Sequence, residues 1–373
     1  MKIRESNYEF LRIVSMIAIV IWHVIVHGEL LEKTTGAVNF VITAILFFMA
    51  FHVTVFMLTT GFYQSKSNFK LEKLFYLFLE IGFYNFIINT ILYFTGLVNY
   101  TNDSYLRSIL FFNLSALWYI QKYIIVYILS PFLNKFIDIS DRLFLKKLII
   151  SMIVCYVVFP FFSDCLLYYS DGYTVGHYIM LYFIGAYIRK YNLTVSCFTK
   201  LNKTQKQFLY IFIFLASWFF NIMFYFLGKY FITLDSNILI SIGQSIVDRK
   251  YFYSNPFIVI QGISLFMLFG TFKIHSKVIN FIASAMLGIY IIHESSFLQH
   301  NIYTWLGISS SMDLIYGKKI IIDIFIIAFV IFVSCLFIEL IRKFIFNLLF
   351  KVKWIQKLIK KIDVKSKNII EIN

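Results

Sequence analysis

The first hydrophobic stretch of the chain carries three ionisable residues whose spacing could do chemistry. Arg12 and His23 are eleven positions apart, and eleven steps of about 100° bring a helix back to within about 20° of the same face. Glu9 lies within about 40° of His23 by the same count. A histidine near a carboxylate is a usual general base. Ionisable groups inside a membrane helix are costly, so this stripe predicts a face turned toward protein or a water-filled cavity.

The composition indicates an integral membrane protein around this stretch. The 373 residues are 60% apolar, 20% aromatic and 14% charged, with a mean hydropathy of +0.78, whereas about a quarter of the residues in soluble domains are charged. Runs of roughly 18 to 25 apolar residues fit the hydrocarbon core. Ten such runs predict an all-α bundle of about ten spans: 8–27, 39–62, 74–97, 117–137, 145–163, 173–190, 207–228, 255–272, 278–298 and 319–347.

The distribution of Lys and Arg predicts the orientation of the bundle. Of the 34 Lys and Arg residues, 25 flank the termini and the ends of even-numbered spans, 7 flank the opposite side, and Arg12 and Lys122 lie inside spans. By the positive-inside rule both termini are cytoplasmic. The predicted division is a ten-span membrane domain, 1–347, and a basic tail, 348–373. That tail would be either an amphipathic helix on the inner leaflet or a solvated end.

The net charge of +15 does not indicate nucleic-acid binding, because the cations lie between hydrophobic runs and not on one compact domain. The four cysteines have no metal-ligand spacing. Neither a metal nor a bound cofactor is expected, and the sequence leaves the oligomeric state open.

In this orientation several polar residues collect at the outer ends of spans. Tyr119 and Lys122 open the fourth span, and His293 and Glu294 close the ninth. They could line the outer side of a site, although Tyr and Lys are also common interfacial anchors. Adjacent residues on a helix do not face one another, so His293 and Glu294 are not expected to form a simple dyad. His27 is expected at the membrane interface.

On the cytoplasmic side, the loop after the second span contains Lys66, Lys70 and Lys73 near Arg12. This patch could bind the phosphates of an anionic ligand, or it could be ordinary positive-inside charge. His52 lies near mid-depth in the second span, where it could be a ligand contact or a packed helix–helix hydrogen-bonding residue.

The chain resembles the acyltransferase type 3 family of bacterial multi-pass membrane acyltransferases. The first span of that family carries an arginine, ten residues and then a histidine, and Arg12 and His23 match this spacing. The segments that carry the resemblance, in the expected order, are RESNYEFLRIVSMIAIVIWHVIVHG (4–28), which contains both residues, TTGF (59–62), LWYIQKYIIVYILSPFLN (117–134), YFIGAYIRKYN (182–192) and LGIYIIHES (287–295).

The resemblance implies transfer of an acyl group, usually acetyl from acetyl-CoA, to a hydroxyl of a cell-envelope glycan or its precursor at the bacterial cytoplasmic membrane. It implies that His23 is catalytic and that Arg12 supports donor binding or the active-site fold, with Glu9 on the same stripe. The family commonly has RxxR after the second span, where this chain has Lys70 and Lys73. Lysine keeps the charge but cannot bind phosphate in a bidentate manner.

A cationic inner mouth could hold the CoA phosphates while the thioester reaches His23. Arg12 and His23 would be about 16 Å apart along the helix axis, which favours a tunnel over a compact pocket. Tyr119, Lys122, His293 and Glu294 would then line the acceptor side. The imidazole could act as a base or as a nucleophile.

Two other function classes fit a polar interior among many spans. A flippase or exporter of lipid-linked oligosaccharide would favour internal repeats and interrupted helices, of which three prolines give little sign. A polysaccharide polymerase would favour a large, charged outer loop. The longest predicted outer loop, 229–254, carries few charges.

Overall fold

The computed structural model describes residues 5–99, 101–110, 116–162, 172–248, 253–308 and 318–349. These residues form helices joined by short connections, and there is no strand among them. The helices are α1 (Asn7–His27), α2 (Leu30–Lys33), α3 (Gly36–Met49), α4 (His52–Gln64), α5 (Leu71–Thr95), α6 (Asn102–Leu110), α7 (Trp118–Ile139), α8 (Arg142–Ile153), α9 (Phe159–Phe162), α10 (Val175–Lys190), α11 (Leu193–Ser196), α12 (Lys203–Ile232), α13 (Asn237–Asp248), α14 (Pro256–Gly270), α15 (Lys277–Ala283), α16 (Met286–His293), α17 (Leu298–Trp305) and α18 (Lys318–Leu349).

Each of the ten predicted runs is helical over most of its described length. The described part of the chain is all-helical, and the protein is a multi-pass membrane protein. Six helical segments of the described chain are long and apolar enough to cross a membrane: Asn7–His27, Gly36–Gln64, Leu71–Thr95, Arg142–Phe161, Lys203–Ile232 and Lys319–Leu349. The helices in the other four runs are shorter or more polar, so the count of ten and the cytoplasmic termini stay predictions. Most of the predicted tail, 350–373, lies outside the described residues.

In the fifth run a π-helical stretch, Val154–Val158, joins α8 to α9 without a break. Two other runs that the sequence predicts as continuous are interrupted. The second breaks at Ala50–Phe51, between α3 and α4, and the ninth breaks at Ser284–Ala285, between α15 and α16. Lys343 Nζ lies 2.5 Å from the Ser284 carbonyl oxygen, and a cation at this position stabilises the C-terminal end of α15.

Helix α1 lies at the centre of the bundle, packed against α3, α4, α14, α15, α16 and α18. Near it, α4 and α10 pack backbone to backbone. A Cβ on Gly61 would overlap the Tyr182 carbonyl, and a Cβ on Gly185 would overlap the Leu58 carbonyl. Small residues permit this close approach between membrane helices. The TTGF and YFIGAYIRKYN segments therefore meet each other in the fold, and α4 is held close to the face of α1 that carries the predicted site.

Candidate active site

The imidazole of His23 lies in a buried cluster at the outer end of α1. Its Nδ1 is 2.9 Å from Glu294 Oε1 and 3.0 Å from His293 Nε2. His27 Nε2 is 3.1 Å from the same Glu294 oxygen. His23, His293 and Glu294 are buried, and His27 is half-buried. The structure thus joins residues that are 270 positions apart in the chain.

The hydrogen bonds determine which nitrogen of His23 carries a proton. His293 Nδ1 lies 2.6 Å from the Ile289 carbonyl oxygen; a carbonyl only accepts, so His293 Nδ1 donates and its Nε2 holds a lone pair. His23 Nδ1 therefore faces two acceptors, His293 Nε2 and the Glu294 carboxylate, and must be the donor. The other nitrogen of a neutral His23, Nε2, then carries the lone pair that a base or nucleophile needs.

The end of α16 explains how two adjacent residues reach one imidazole. His293 is the last residue of α16, and Glu294 follows it with φ −94° and ψ 7°, outside the helix. The two side chains do not pair with each other, as expected for neighbours in sequence. Each side chain instead contacts Nδ1 of His23. His27, expected at the interface, belongs to this cluster because it lies one helical turn after His23 on α1.

A cavity of about 510 Å³ connects this cluster to the opposite end of α1. Glu9, Arg12 and His23 all line it, as the stripe on the first helix predicts. Its further lining comprises Met16, Ile19, His52, Val53, Phe56, Thr59, Thr60, Tyr63, Gln64, Ser67, Lys73, Trp118, Tyr119, Ile120, Tyr123, Tyr253, Met286, Leu287 and Tyr290. The shape is elongated along α1, with apolar and aromatic walls and polar groups at both ends.

The inner end of the cavity holds its cations. Arg12 Nη1 is 2.8 Å from Glu9 Oε2, and 28% of the Arg12 side chain remains exposed. Lys73 lines the cavity in the first turn of α5, whereas Lys70, the extended residue before that helix, is exposed and is not among the described lining residues. The backbone N–H of Lys70 donates to Tyr127 Oη at 3.0 Å. The two lysines of KLEK therefore have different surroundings.

Of the four residues predicted on the acceptor side, only Tyr119 lines the cavity. Tyr119 lines the cavity, with its ring centroid 6.2 Å from that of Tyr290. Lys122 is half-buried on α7 and is not among the described lining residues. His293 and Glu294 lie behind His23, where they contact its Nδ1 and do not line the cavity.

The cavity also contains residues that sequence reasoning did not select, among them Tyr253, whose ring stacks on that of Trp118 at the start of the fourth span with centroids 5.4 Å apart. With 26 tyrosines and 45 phenylalanines in the chain, no local signal distinguishes these aromatic residues from ordinary packing. His52, left open by the sequence, lies in the same wall.

A second cavity of about 510 Å³ lies between α5, α6 and the segment after α16. Its polar lining includes Asn85, Asn89, Arg107 and Ser295. Leu117 and Ile291 line this cavity, and their neighbours Trp118 and Tyr290 line the first one, so the two cavities approach each other beside α16.

Among the residues that the structure describes, the cluster around His23 is the group whose spacing could hold a metal ion. One ligand atom each from His23, His293 and Glu294 lies within 4.8 Å of the other two. Neighbouring ligands of a tetrahedral metal, with bonds of about 2.0–2.1 Å, are about 3.3 Å apart. The separations of 2.9 and 3.0 Å around His23 Nδ1 are shorter and match hydrogen bonds.

Of three comparisons with known proteins, the one against protein families found a match. Neither the search of curated proteins nor the search of solved structures found a match. The family comparison matches residues 5–339, nearly the whole chain, to acyltransferase family 3, described as an acyltransferase domain. This range includes α1, the cavity and the cluster around His23. The chain therefore belongs to the acyltransferase 3 family of membrane acyltransferases.

Proposed function

We propose that the protein transfers an acyl group, with acetyl from acetyl-CoA as the first candidate, to a hydroxyl of a cell-surface polysaccharide or its precursor. We place it in the bacterial cytoplasmic membrane with about ten spans and both termini inside. The observation that carries the proposal is the hydrogen-bonded cluster that leaves a lone pair on His23 Nε2 in the wall of an elongated cavity. Family membership supplies the class of reaction.

In this proposal the donor enters from the cytoplasm. Lys73 and Arg12 attract the CoA phosphates at the inner mouth, with Thr59, Thr60 and Gln64 available as polar contacts further in. The pantetheine arm is long and thin, and it suits an elongated cavity with aromatic walls. The distance of about 16 Å along α1 between Arg12 and His23 is then spanned by the arm, and the thioester lies beside the imidazole.

His23 acts on the acceptor. Its Nε2 takes the proton of the acceptor hydroxyl as the oxygen attacks the thioester carbon, and the resulting imidazolium is stabilised by the Glu294 carboxylate on Nδ1. A carboxylate that orients a histidine and stabilises its charged form has this role in acyl-transfer triads. An alternative in which Nε2 itself attacks the thioester uses the same nitrogen.

The second cavity suits the acceptor glycan. Amides, hydroxyls and a guanidinium are groups that bond sugar hydroxyls, and Asn85, Asn89, Arg107 and Ser295 offer them in its lining. Of these, Ser295 directly follows Glu294. In the proposed orientation this cavity is on the outer side. The acceptor would approach His23 around the end of α16.

A transport function is the second candidate, because α3–α4 and α15–α16 are interrupted helices, a feature of many transporters. A transported glycan, however, needs no imidazole whose tautomer is fixed by a carboxylate. The cluster around His23 therefore favours covalent chemistry.

The test compares ester-linked acyl groups on envelope glycan from cells that carry the wild-type gene, no gene, or His23→Ala. We expect wild-type cells to have ester that both other strains lack, while His23→Ala is made and inserted normally. His177→Ala is the matched control, because His177 is equally buried but is not among the described cavity-lining residues. Normal ester content in His23→Ala cells would overturn the proposal.

A further inference from the structure

His52 combines burial with unpaired polar atoms in the wall of the main cavity. It is the first residue of α4, directly after the break in the second run, and is 1% exposed. Neither ring nitrogen has a hydrogen-bond partner among the described residues. The nearest aromatic neighbours present rings: Trp22 at 5.5 Å and Tyr253 at 5.6 Å between centroids, both inclined steeply to the imidazole.

This arrangement points to a ligand. Buried polar side chains nearly always have partners, so an unpartnered imidazole in the wall of a cavity points to a bound molecule that supplies one. His177 is likewise buried with no partner for either ring nitrogen among the described residues, but it does not line the cavity. A neutral imidazole offers one N–H donor and one lone pair. His52 lines the cavity with both ring nitrogens covered by protein, so a molecule bound there can supply the missing partner when the imidazole turns toward it.

The other histidines around the site already have defined hydrogen bonds. His23 Nδ1 and His27 Nε2 face Glu294, and His293 uses one nitrogen on Ile289 and the other on His23. Trp22, which contacts His52, directly precedes His23 on α1, so His52 lies beside the turn that carries the proposed base. Of these four imidazoles, His52 is the one with an N–H left for the reacting group.

We propose that His52 is a catalytic residue whose ring N–H donates to the thioester carbonyl oxygen. The inference rests on the proposed acyl transfer and adds a residue to it. Acyl transfer places negative charge on this oxygen in the transition state, and a fixed donor in a buried site stabilises that charge.

The step balances as follows in atoms and charge. The acceptor O–H gives its proton to His23 Nε2 while its oxygen bonds to the carbonyl carbon, and the C=O electron pair moves to oxygen, which accepts from His52. The carbonyl then re-forms, the C–S bond breaks, and the proton on His23 passes to the thiolate. The products are the ester and free CoA thiol.

The test is a pair of variants of similar size, His52→Gln and His52→Met, of which only Gln carries an N–H. Full-length protein in vesicles is assayed with acetyl-CoA for transfer to glycan and for release of free thiol in water. We expect His52→Met to lose about 10²- to 10³-fold in kcat, with little change in KM for acetyl-CoA. His52→Gln should retain substantially more kcat. His177→Met, a buried imidazole replaced outside the cavity, should keep wild-type kcat.

Equal kcat in the Gln and Met variants would overturn the role of His52, as would a loss confined to KM. If His52→Met fails to fold, His52→Gln is compared with His52→Asn, whose shorter amide withdraws the donor from the cavity; equal activity again overturns the role. A wild-type protein that turns over no thioester would overturn both this inference and the proposed function. Active wild-type protein with an unaffected His52→Met overturns this inference alone.

Discussion

Replacing Glu294 by Gln tests whether the carboxylate behind His23 drives the chemistry. Glu294 Oε1 lies 2.9 Å from His23 Nδ1 and 3.1 Å from His27 Nε2, and only 4% of its side chain is exposed. Gln has the same shape and can still accept through its amide oxygen. The variant therefore changes the charge at Nδ1 while it keeps most of the packing.

The magnitude follows from the loss of a charge-assisted hydrogen bond. Such a bond contributes about 1.5 to 3 kcal/mol, and solvent does little to screen it at a buried carboxylate. The imidazolium of His23 exists only after proton transfer, so most of this loss falls on the transition state. At about 1.4 kcal/mol per factor of ten, kcat should fall about 10- to 150-fold. Because Glu294 does not line the donor cavity, KM for acyl-CoA should stay near its wild-type value.

The assay measures initial rates of labelled acyl transfer in membrane vesicles over a range of acyl-CoA concentrations. Glu80→Gln is the matched control, since Glu80 is another largely buried carboxylate, 3.4 Å from Arg342 Nη2, and it does not line the main cavity. Detergent extraction and size-exclusion profiles check that both variants are folded. An unchanged kcat in Glu294→Gln, or an equal fall in Glu80→Gln, would refute the reasoning.

Three further predictions concern the donor mouth and the helix packing. Lys73→Ala should raise KM for acyl-CoA several-fold, and Lys70→Ala should raise it less, because only Lys73 lines the cavity; equal KM values from vesicle kinetics would contradict this assignment. Arg12→Gln should raise KM for acyl-CoA about tenfold in the same vesicle kinetics. This corresponds to the loss of one contact between a charged side chain and a phosphate, of about 1.4 kcal/mol. Gly185→Leu should reduce the yield of folded protein sharply, because its side chain would overlap the Leu58 carbonyl; a fluorescence size-exclusion profile like that of the wild type would argue against this packing.

The local sequence pattern was sufficient to predict the helices and the face of α1 that lines the cavity. Hydropathy is a property of consecutive residues, so all ten predicted runs coincide with helix. The angular spacing along a single helix placed Glu9, Arg12 and His23 on one side, and all three line one cavity. The interruptions in α3–α4 and α15–α16 were missed, since both segments are predominantly apolar and contain no proline to mark the break.

The sequence by itself determined a multi-pass helical protein with a cation and an imidazole about 16 Å apart on one face of its first helix. Tertiary structure decided what surrounds that imidazole. Glu294 and His293 reach His23 across 270 positions of chain because α16 ends beside the outer turn of α1. The same packing left His52 in the cavity wall without a partner. Helical periodicity fixes angles within one helix, whereas contacts between helices depend on which faces pack together and at what depth.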